Sequence, residues 1–276
     1  MSALVQHQRH IDALHDIRDI MAALKNISLT EGQRLRHFLA TQQRVMNGIE
    51  QALGDFLSHY PHVLSGAEAT IDLVLLIGSE RGFCGDFNEI LLEQLNTAAT
   101  QQQHLVAVGE KLGGKLAERG IDAEILPGLS TVEDVPDVLL AVVEKLRELT
   151  ARHGPMQLTI IHHYYDGRTQ EVRSRRPFRR LSPAETRHGY PPLLNVAPET
   201  FFPQLLDHYL FAVLHSVLYG SLAAEHQQRL QHLQGAIDHI DKRCAVMTQR
   251  YNNLRQELIT EEIELIVLSA GTRMQE

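Results

Sequence analysis

Near the end of the chain, apolar residues recur in alternating steps of three and four. Leu230, Leu233, Ile237, Ile240, Cys244, Met247, Tyr251, Leu254 and Leu258 keep that spacing without one polar intrusion. A stripe of this period is a coiled-coil seam, which needs a second helix to cover it. The head carries a looser version. Ile11, Leu14, Ile17, Ile20, Leu24 and Ile27 form one stripe. Leu35, Phe38, Val45, Ile49, Ala52 and Phe56 form another, interrupted by Gln42, and Gly32 between the two marks a bend or weak point. All ten prolines fall between Pro61 and Pro203. Proline costs a helix interior about 3 kcal/mol, so both ends are free to form very long helices, about 90 Å for the head and about 110 Å for the tail. If the chain leaves a compact middle and returns to it, the two helices pair antiparallel, with a left-handed winding.

Between the ends the period changes. Residues 71–77 form a buried-strand run, closed by the glycine-rich turn 78–85. The pattern then predicts a helix at 87–99, a strand at 104–108, a helix at 110–119, a strand at 121–126 and a helix at 133–151. Strands at 157–165 and 169–175 follow, joined through Asp166 and Gly167. Alternating strands and helices imply a doubly wound, mainly parallel α/β sheet whose last strand is antiparallel. Pro183, Pro191, Pro192, Pro198 and Pro203 carry an irregular return path into a tail helix that starts near 199–204. The expected domains are an N-terminal coiled-coil helix (1–60), a central Rossmann-like α/β domain (68–198) and a C-terminal coiled-coil helix (199–276).

The formal charge of −8 argues against a general nucleic-acid binder. No apolar run approaches the length that spans a bilayer, and the first residues lack a signal-peptide core, so a cytosolic or peripheral membrane location is expected. Cys84 and Cys244 lie far apart and suit free thiols better than a disulfide frame.

Four features invite a chemical reading, and each has a plainer one. Gly109-Glu-Lys-Leu-Gly-Gly114-Lys115-Leu116 approaches a phosphate-binding P-loop, but Leu116 stands where a hydroxyl would hold magnesium. A basic helix start explains it equally well. Gly78, Gly82 and Gly85 have the wrong spacing for a dinucleotide fingerprint and suit a tight strand-to-helix turn. Arg173, Arg175, Arg176, Arg179 and Arg180 are the one basic cluster, read as a solvated edge strand or a dock for an acidic partner. His162 and His163 are strand neighbours whose side chains point to opposite faces, so they cannot easily share a metal. No Cys/His ligand set and no nucleophile–base arrangement can be placed together.

Three motifs resemble the gamma subunit of F-type ATP synthases. Ile20-Met-Ala-Ala-Leu24-Lys-Asn-Ile27-Ser is a degenerate likeness of that family's Ile-Thr-Lys-Ala-Met-x-Met-Val-Ala. Ser79-Glu-Arg81-Gly82-Phe-Cys84-Gly85-Asp-Phe-Asn88 resembles Ser/Thr-Asp-Arg-Gly-Leu-Cys-Gly-Gly-Leu-Asn. Tyr251-Asn-Asn-Leu-Arg255-Gln256-Glu-Leu-Ile259-Thr260-Glu-Glu-Ile263-Glu-Leu-Ile266-Val267 matches Tyr-Asn-x-x-Arg-Gln-x-x-Ile-Thr-x-Glu-Ile-x-Glu-Ile-Val almost position for position. Asp86 replaces the family's second glycine, Ser-Leu-Thr-Glu-Gly-Gln replaces a lysine-rich stretch, and the head carries six basic against six acidic residues. These departures resemble the alternative F-type ATPases, some of which are thought to move sodium.

The resemblance implies a non-catalytic central rotor without a cofactor or a substrate of its own. It would stand on the cytoplasmic face of the cell membrane, inside a ring of alpha and beta subunits and above a membrane c-ring. Arg255, Gln256 and Thr260 would contact a beta subunit, and Glu80, Arg81, Gly82, Cys84, Gly85 and Asn88 would lie in a stalk-foot loop near the epsilon subunit and the c-ring. Apolar residues almost surround the helix from 263 to 268, where Ile263, Leu265, Ile266, Val267 and Leu268 suit a bearing sleeve or an ordinary buried helix end. Two other readings stay open: a coiled-coil adaptor bearing an α/β domain, and a weak nucleotide binder that uses residues 109–116.

Overall fold

The computed structural model describes residues 2–64, 71–98, 103–165, 169–179 and 190–273. The linking turn at Asp166 and Gly167 lies outside them, as do Ala99, Arg180, Pro183 and the side chain of Leu268. Five strands and five α-helices alternate: α1 (Ser2–His59), β1 (Ile71–Ile77), α2 (Phe87–Ala98), β2 (Gln103–Val108) and α3 (Glu110–Glu118) come first. β3 (Glu124–Leu126), α4 (Val135–His153), β4 (Met156–Tyr165), β5 (Gln170–Arg175) and α5 (Pro198–Arg273) complete the chain. α1 runs unbroken through Gly32, and α5 takes in both Pro198 and Pro203 rather than beginning after them. Proline is tolerated in a first turn, where the missing N–H has no partner to lose; Pro203 lies just past it.

The chain divides into two compact units, Ser28–Arg229 and the pairing of Met1–Ile27 with Leu230–Glu276. The first is larger than residues 68–198. It takes in the second half of α1 and the first part of α5, because these segments cover the sheet.

Within this unit the strand order is β3-β2-β1-β4-β5, all parallel except the β4–β5 pair. β1 is central, and its side chains alternate between two cores. Leu73, Leu75 and Ile77 face a layer built from α4, the Leu35 to Leu57 part of α1, and the Tyr209 to Ala223 part of α5. Val74 and Leu76 face α2 and α3 through Leu91, Leu92, Leu112 and Leu116. In this part of α1 the buried apolar positions are Leu35, Met46, Leu53, Phe56 and Leu57, while Phe38, Val45 and Ala52 are exposed, Phe38 with its ring stacked on Tyr219. Gln42 lies on the buried stripe itself and donates from Nε2 to the Ala212 carbonyl at 3.2 Å. The apparent interruption is thus a satisfied polar contact between two packed helices.

The second unit is an antiparallel helix pair. Arg18 Nε donates to Asp241 at 2.8 Å and Lys25 Nζ to Gln234 at 3.0 Å. Seven residues forward on one helix are seven residues back on the other. On α5, Leu233, Ile237, Ile240 and Cys244 are buried, and Leu230, Met247, Tyr251, Leu254 and Leu258 are half-buried. The α1 side departs from the sequence reading. Ile11 is buried and Leu14 and Leu24 half-buried, but Ile17 is exposed, and Ile20 and Ile27 are 61% and 58% exposed. Helical residues turn by about 100°, so three consecutive steps of three carry Ile20 to the face opposite Ile11. Half-buried Arg18, Met21 and Lys25 restore the alternation of four and three that a seam requires.

Candidate functional site

The loop after β1 is set by the sheet edge from which it springs. Gly78 N–H donates to the Val108 carbonyl at 3.0 Å, which brings the end of β1 beside the start of α3. Ser79 and Asn88 then lock the loop to the first turn of α2. Asn88 Oδ1 accepts the Ser79 N–H at 3.0 Å, and its Nδ2 donates to Ser79 Oγ at 2.8 Å. Glu80 crosses to the neighbouring loops, where one carboxylate oxygen accepts the N–H of Glu110 at 3.0 Å and of Gly128 at 2.8 Å. A carboxylate at the first residue of α3 satisfies an N–H that the helix cannot.

That contact decides the P-loop question. The position an incoming phosphate would take at the α3 N-terminus is held by the protein's own Glu80. Lys115 pairs with Glu89 at 2.9 Å and Glu118 at 3.6 Å. Gly109 has a geometric reason of its own: its φ is 114°, and a β-carbon there would stand 2.6 Å from the Ser79 carbonyl oxygen.

Residues of α5 fasten the outer half of the loop. Arg229 donates from Nε to the Gly82 carbonyl at 3.1 Å and from Nη2 to the Arg81 carbonyl at 3.5 Å and Cys84 Sγ at 3.3 Å. It also forms an ion pair with Glu225, one turn earlier on α5, and both residues are buried. Burial pushes the Glu225 carboxyl up to about 7 against the pull of Arg229. Burial and the nearby Glu225 charge push the Cys84 thiol up to about 12, so it stays protonated and unreactive. Gln228 donates to Asp86 at 3.0 Å, which gives the departure from glycine a partner on the same helix.

The loop therefore has two sides. Glu80, Cys84 and Asn88 bond inward and fix its path, whereas Arg81, Gly85 and Asp86 are exposed. Phe83 is exposed too and takes a positive φ of 65°, a strained backbone for a bulky residue. Sequence reasoning did not pick out Glu225, Gln228 or Arg229. The signal was there: a glutamate and an arginine four apart, directly after the apolar run 209–224.

His162 and His163 face opposite sides of the sheet. His163 stacks on Phe87, with ring centres 3.7 Å apart, and Nε2–H donates to the Phe87 carbonyl at 2.7 Å. His162 Nδ1–H donates to the His163 carbonyl at 2.9 Å. Burial pulls both imidazoles down to about 4, so they are neutral. Among the described residues no group of His, Cys, Asp and Glu could hold a metal ion, and no helix is long and apolar enough to cross a membrane.

In the helix pair, Arg255, Gln256 and Thr260 are exposed, and the Thr260 hydroxyl donates back to the Gln256 carbonyl at 2.9 Å. Ile259, Ile263, Leu265, Ile266 and Val267 are exposed as well, the last four between 55% and 67%. The register explains why. Extended at the same spacing, it sets the first described turn of α1 opposite about residue 257, so among the described residues α1 does not reach beside the apolar end of α5.

A family model described as ATP synthase matches residues 3–272. The ATP synthase gamma chain of Akkermansia muciniphila is 24% identical, over 91% of this chain and 95% of its own length. That of Halothermothrix orenii is 23% identical, over 97% and 98%. Among solved structures, a rotor chain of the Euglena gracilis mitochondrial ATP synthase aligns with a TM-score of 0.67 at 15% identity, covering 94% of this chain and 99% of that one. A central-stalk and c-ring structure from Tetrahymena thermophila aligns at 0.59 and 18% identity, covering 79% and 99%.

Proposed function

The chain belongs to the ATP synthase gamma family, the rotor subunits of F-type ATP synthases, and from that membership we propose how its parts divide the work. The helix pair is the shaft. Its apolar seam makes two helices behave as one stiff element, which is what torque transmission requires. The exposed apolar end of α5 turns inside a sleeve formed by the alpha and beta subunits, with Ile263, Ile266 and Val267 as its bearing surface. Arg255, Gln256 and Thr260 meet a beta subunit through hydrogen bonds that form and break as the rotor steps. The sheet-bearing unit stands over the membrane c-ring and binds the epsilon subunit, with the exposed side of the Gly78 to Asp86 loop at the foot.

Catalysis belongs to the ring around it. The chain itself works by asymmetry. A rotor that touches each catalytic site differently at one instant gives those sites different affinities, because only differential contact energy shifts a conformational equilibrium. The complex is membrane-bound and this subunit is peripheral to it, on the cytoplasmic face. Low identity to the relatives, near 23%, together with the neutral head and Asp86, supports a divergent branch resembling the alternative F-type ATPases.

The observation that carries this reading is the apolar end of α5, where Ile263, Leu265, Ile266 and Val267 are exposed. The test is rotation. A probe fixed to Arg81 through a cysteine substitution, in a complex assembled with its own alpha and beta subunits, should turn when ATP is supplied. A probe that stays still while the complex hydrolyses ATP refutes the rotor assignment.

A further inference from the structure

Over the β4–β5 pair, between the sheet and helices α1 and α5, the structure has a cleft of about 500 Å³. Sites for small molecules run from about 300 to 1,000 Å³. Its floor is the end of the β4–β5 pair: His162 and Tyr164 from one strand, Arg173, Ser174 and Arg175 from the other. His162 stands directly opposite Arg173 in the ladder. Gln43 and Glu50 of α1 and Ser216 of α5 line the wall.

The donors are already held in place. The Arg173 guanidinium carbon lies 3.4 Å from the centre of the Tyr164 ring, and Nε donates to Glu171 at 2.6 Å. Arg175 donates to Glu50 at 2.7 Å. A stacked or paired guanidinium has lost most of its rotamer freedom, so a ligand that binds it loses less. Each guanidinium already has a carboxylate partner, Glu171 for Arg173 and Glu50 for Arg175, and of these only Glu50 lines the cleft. His162 adds the opposite function. Its Nδ1–H is committed to the His163 carbonyl, which leaves Nε2 as a bare lone pair, a hydrogen-bond acceptor among donors.

We propose that this cleft binds the oxyanion of a small molecule, a phosphoryl or carboxylate group, on Arg173 and Arg175, with Glu50 as a built-in competitor that the ligand displaces. Two guanidinium forks and the Ser216 hydroxyl supply donors for several oxygens. His162 Nε2 accepts from a hydroxyl or amino group on the body of the ligand. A concave floor walled by two helices fits a small molecule better than the flat acidic face of a protein. Nothing in the rotor assignment uses these residues, so the two ideas stand or fall separately.

Inorganic phosphate, ADP and citrate would each be titrated into the full-length chain by calorimetry at low salt, with polyglutamate as a fourth probe. One of the first three should bind one-to-one. Phosphate or ADP would mark a phosphoryl site, and citrate a carboxylate site. Arg173→Gln should weaken binding about tenfold or more, the scale of a lost charge-assisted contact. Glu50→Gln should tighten it several-fold, because the competitor loses its charge, and a misfolded variant would not bind better. The proposal is overturned by an absence of saturable binding, by binding that Glu50→Gln leaves unchanged or weakens, or by a response to polyglutamate alone.

Discussion

Arg229 and Glu225 form a buried ion pair one turn apart on α5, and Arg229 spends other N–H groups on the carbonyls of Arg81 and Gly82. A side chain bound at once to its own helix and to a loop more than 140 residues away fixes that loop by chemistry as well as by packing. Arg229→Met should destabilise the protein by about 3–5 kcal/mol, because it leaves Glu225 buried without its partner. Adding Glu225→Leu should recover much of the loss. Urea denaturation of the single and double variants checks both; equal stability of the two would show that the pair is not coupled.

Stability should depend on pH through two opposing groups. Burial raises Glu225 from 4.5 to about 7, so between these values the folded state binds more protons than the unfolded one. Its contribution is greatest below about 4.5 and is lost as the pH rises towards 7. Burial lowers His162, His163 and His226 from 6.5 to about 4, so there the unfolded chain takes up protons first and stability falls as the pH drops through that window. Denaturation midpoints at pH 5, 6 and 7 separate the two. Glu225→Gln should remove the loss on the alkaline side, and His163→Gln should soften the loss on the acid side.

The helix pair offers a contrast between residues of one chemical type. Leu233→Ala removes a fully buried side chain and should cost about 2–5 kcal/mol. Ile20→Ala trims an exposed one and should change stability by less than about 0.5 kcal/mol. Thermal unfolding followed by circular dichroism distinguishes them. Comparable losses would mean that Ile20 lies on the seam after all.

The near P-loop should be silent. Lys115→Ala should leave any response of the full-length chain to ATP unchanged, because Lys115 is already paired with Glu89 and Glu118. Glu80→Ala should instead lower stability by about 1–3 kcal/mol, because the Gly128 and Glu110 N–H groups lose their acceptor. Measurable ATP binding that Lys115→Ala abolishes would reverse this conclusion.

In the proposed role Arg255 acts on the motion of the catalytic sites rather than on their occupancy, so Arg255→Ala should slow ATP hydrolysis by the assembled complex several-fold and leave nucleotide affinity largely intact. Steady-state turnover and equilibrium nucleotide titration separate the two effects. Unchanged turnover would remove this residue from the mechanism.

The alternation of strands and helices was plain in the sequence because β1, β2 and β4 are short, mainly apolar runs, two of them ended by glycine just after Ile77 and Val108. The tail seam was plain because nine consecutive positions agree. On α1 the correct stripe was hidden, since its members include Arg18, Gln42 and Lys25, polar residues that reach the seam through their stems or through one hydrogen bond. Exposed isoleucines at 17, 20 and 27 offered a more apolar alternative on the wrong face. The Glu225–Arg229 spacing is visible in the sequence, but the Glu80 cap and the hold of Arg229 on the distant loop are not. Each joins segments far apart in the chain, and only the fold brings them together.

The overhang of α5 beyond α1 carries a consequence for the life of the protein before assembly. A newly made copy presents Ile263, Leu265 and Val267 as exposed apolar side chains on one stretch of helix. That end is an invitation to proteases and to clumping until ring subunits close round it. Production of the chain must therefore keep step with production of its neighbours, and a surplus should be cleared from the frayed end inward.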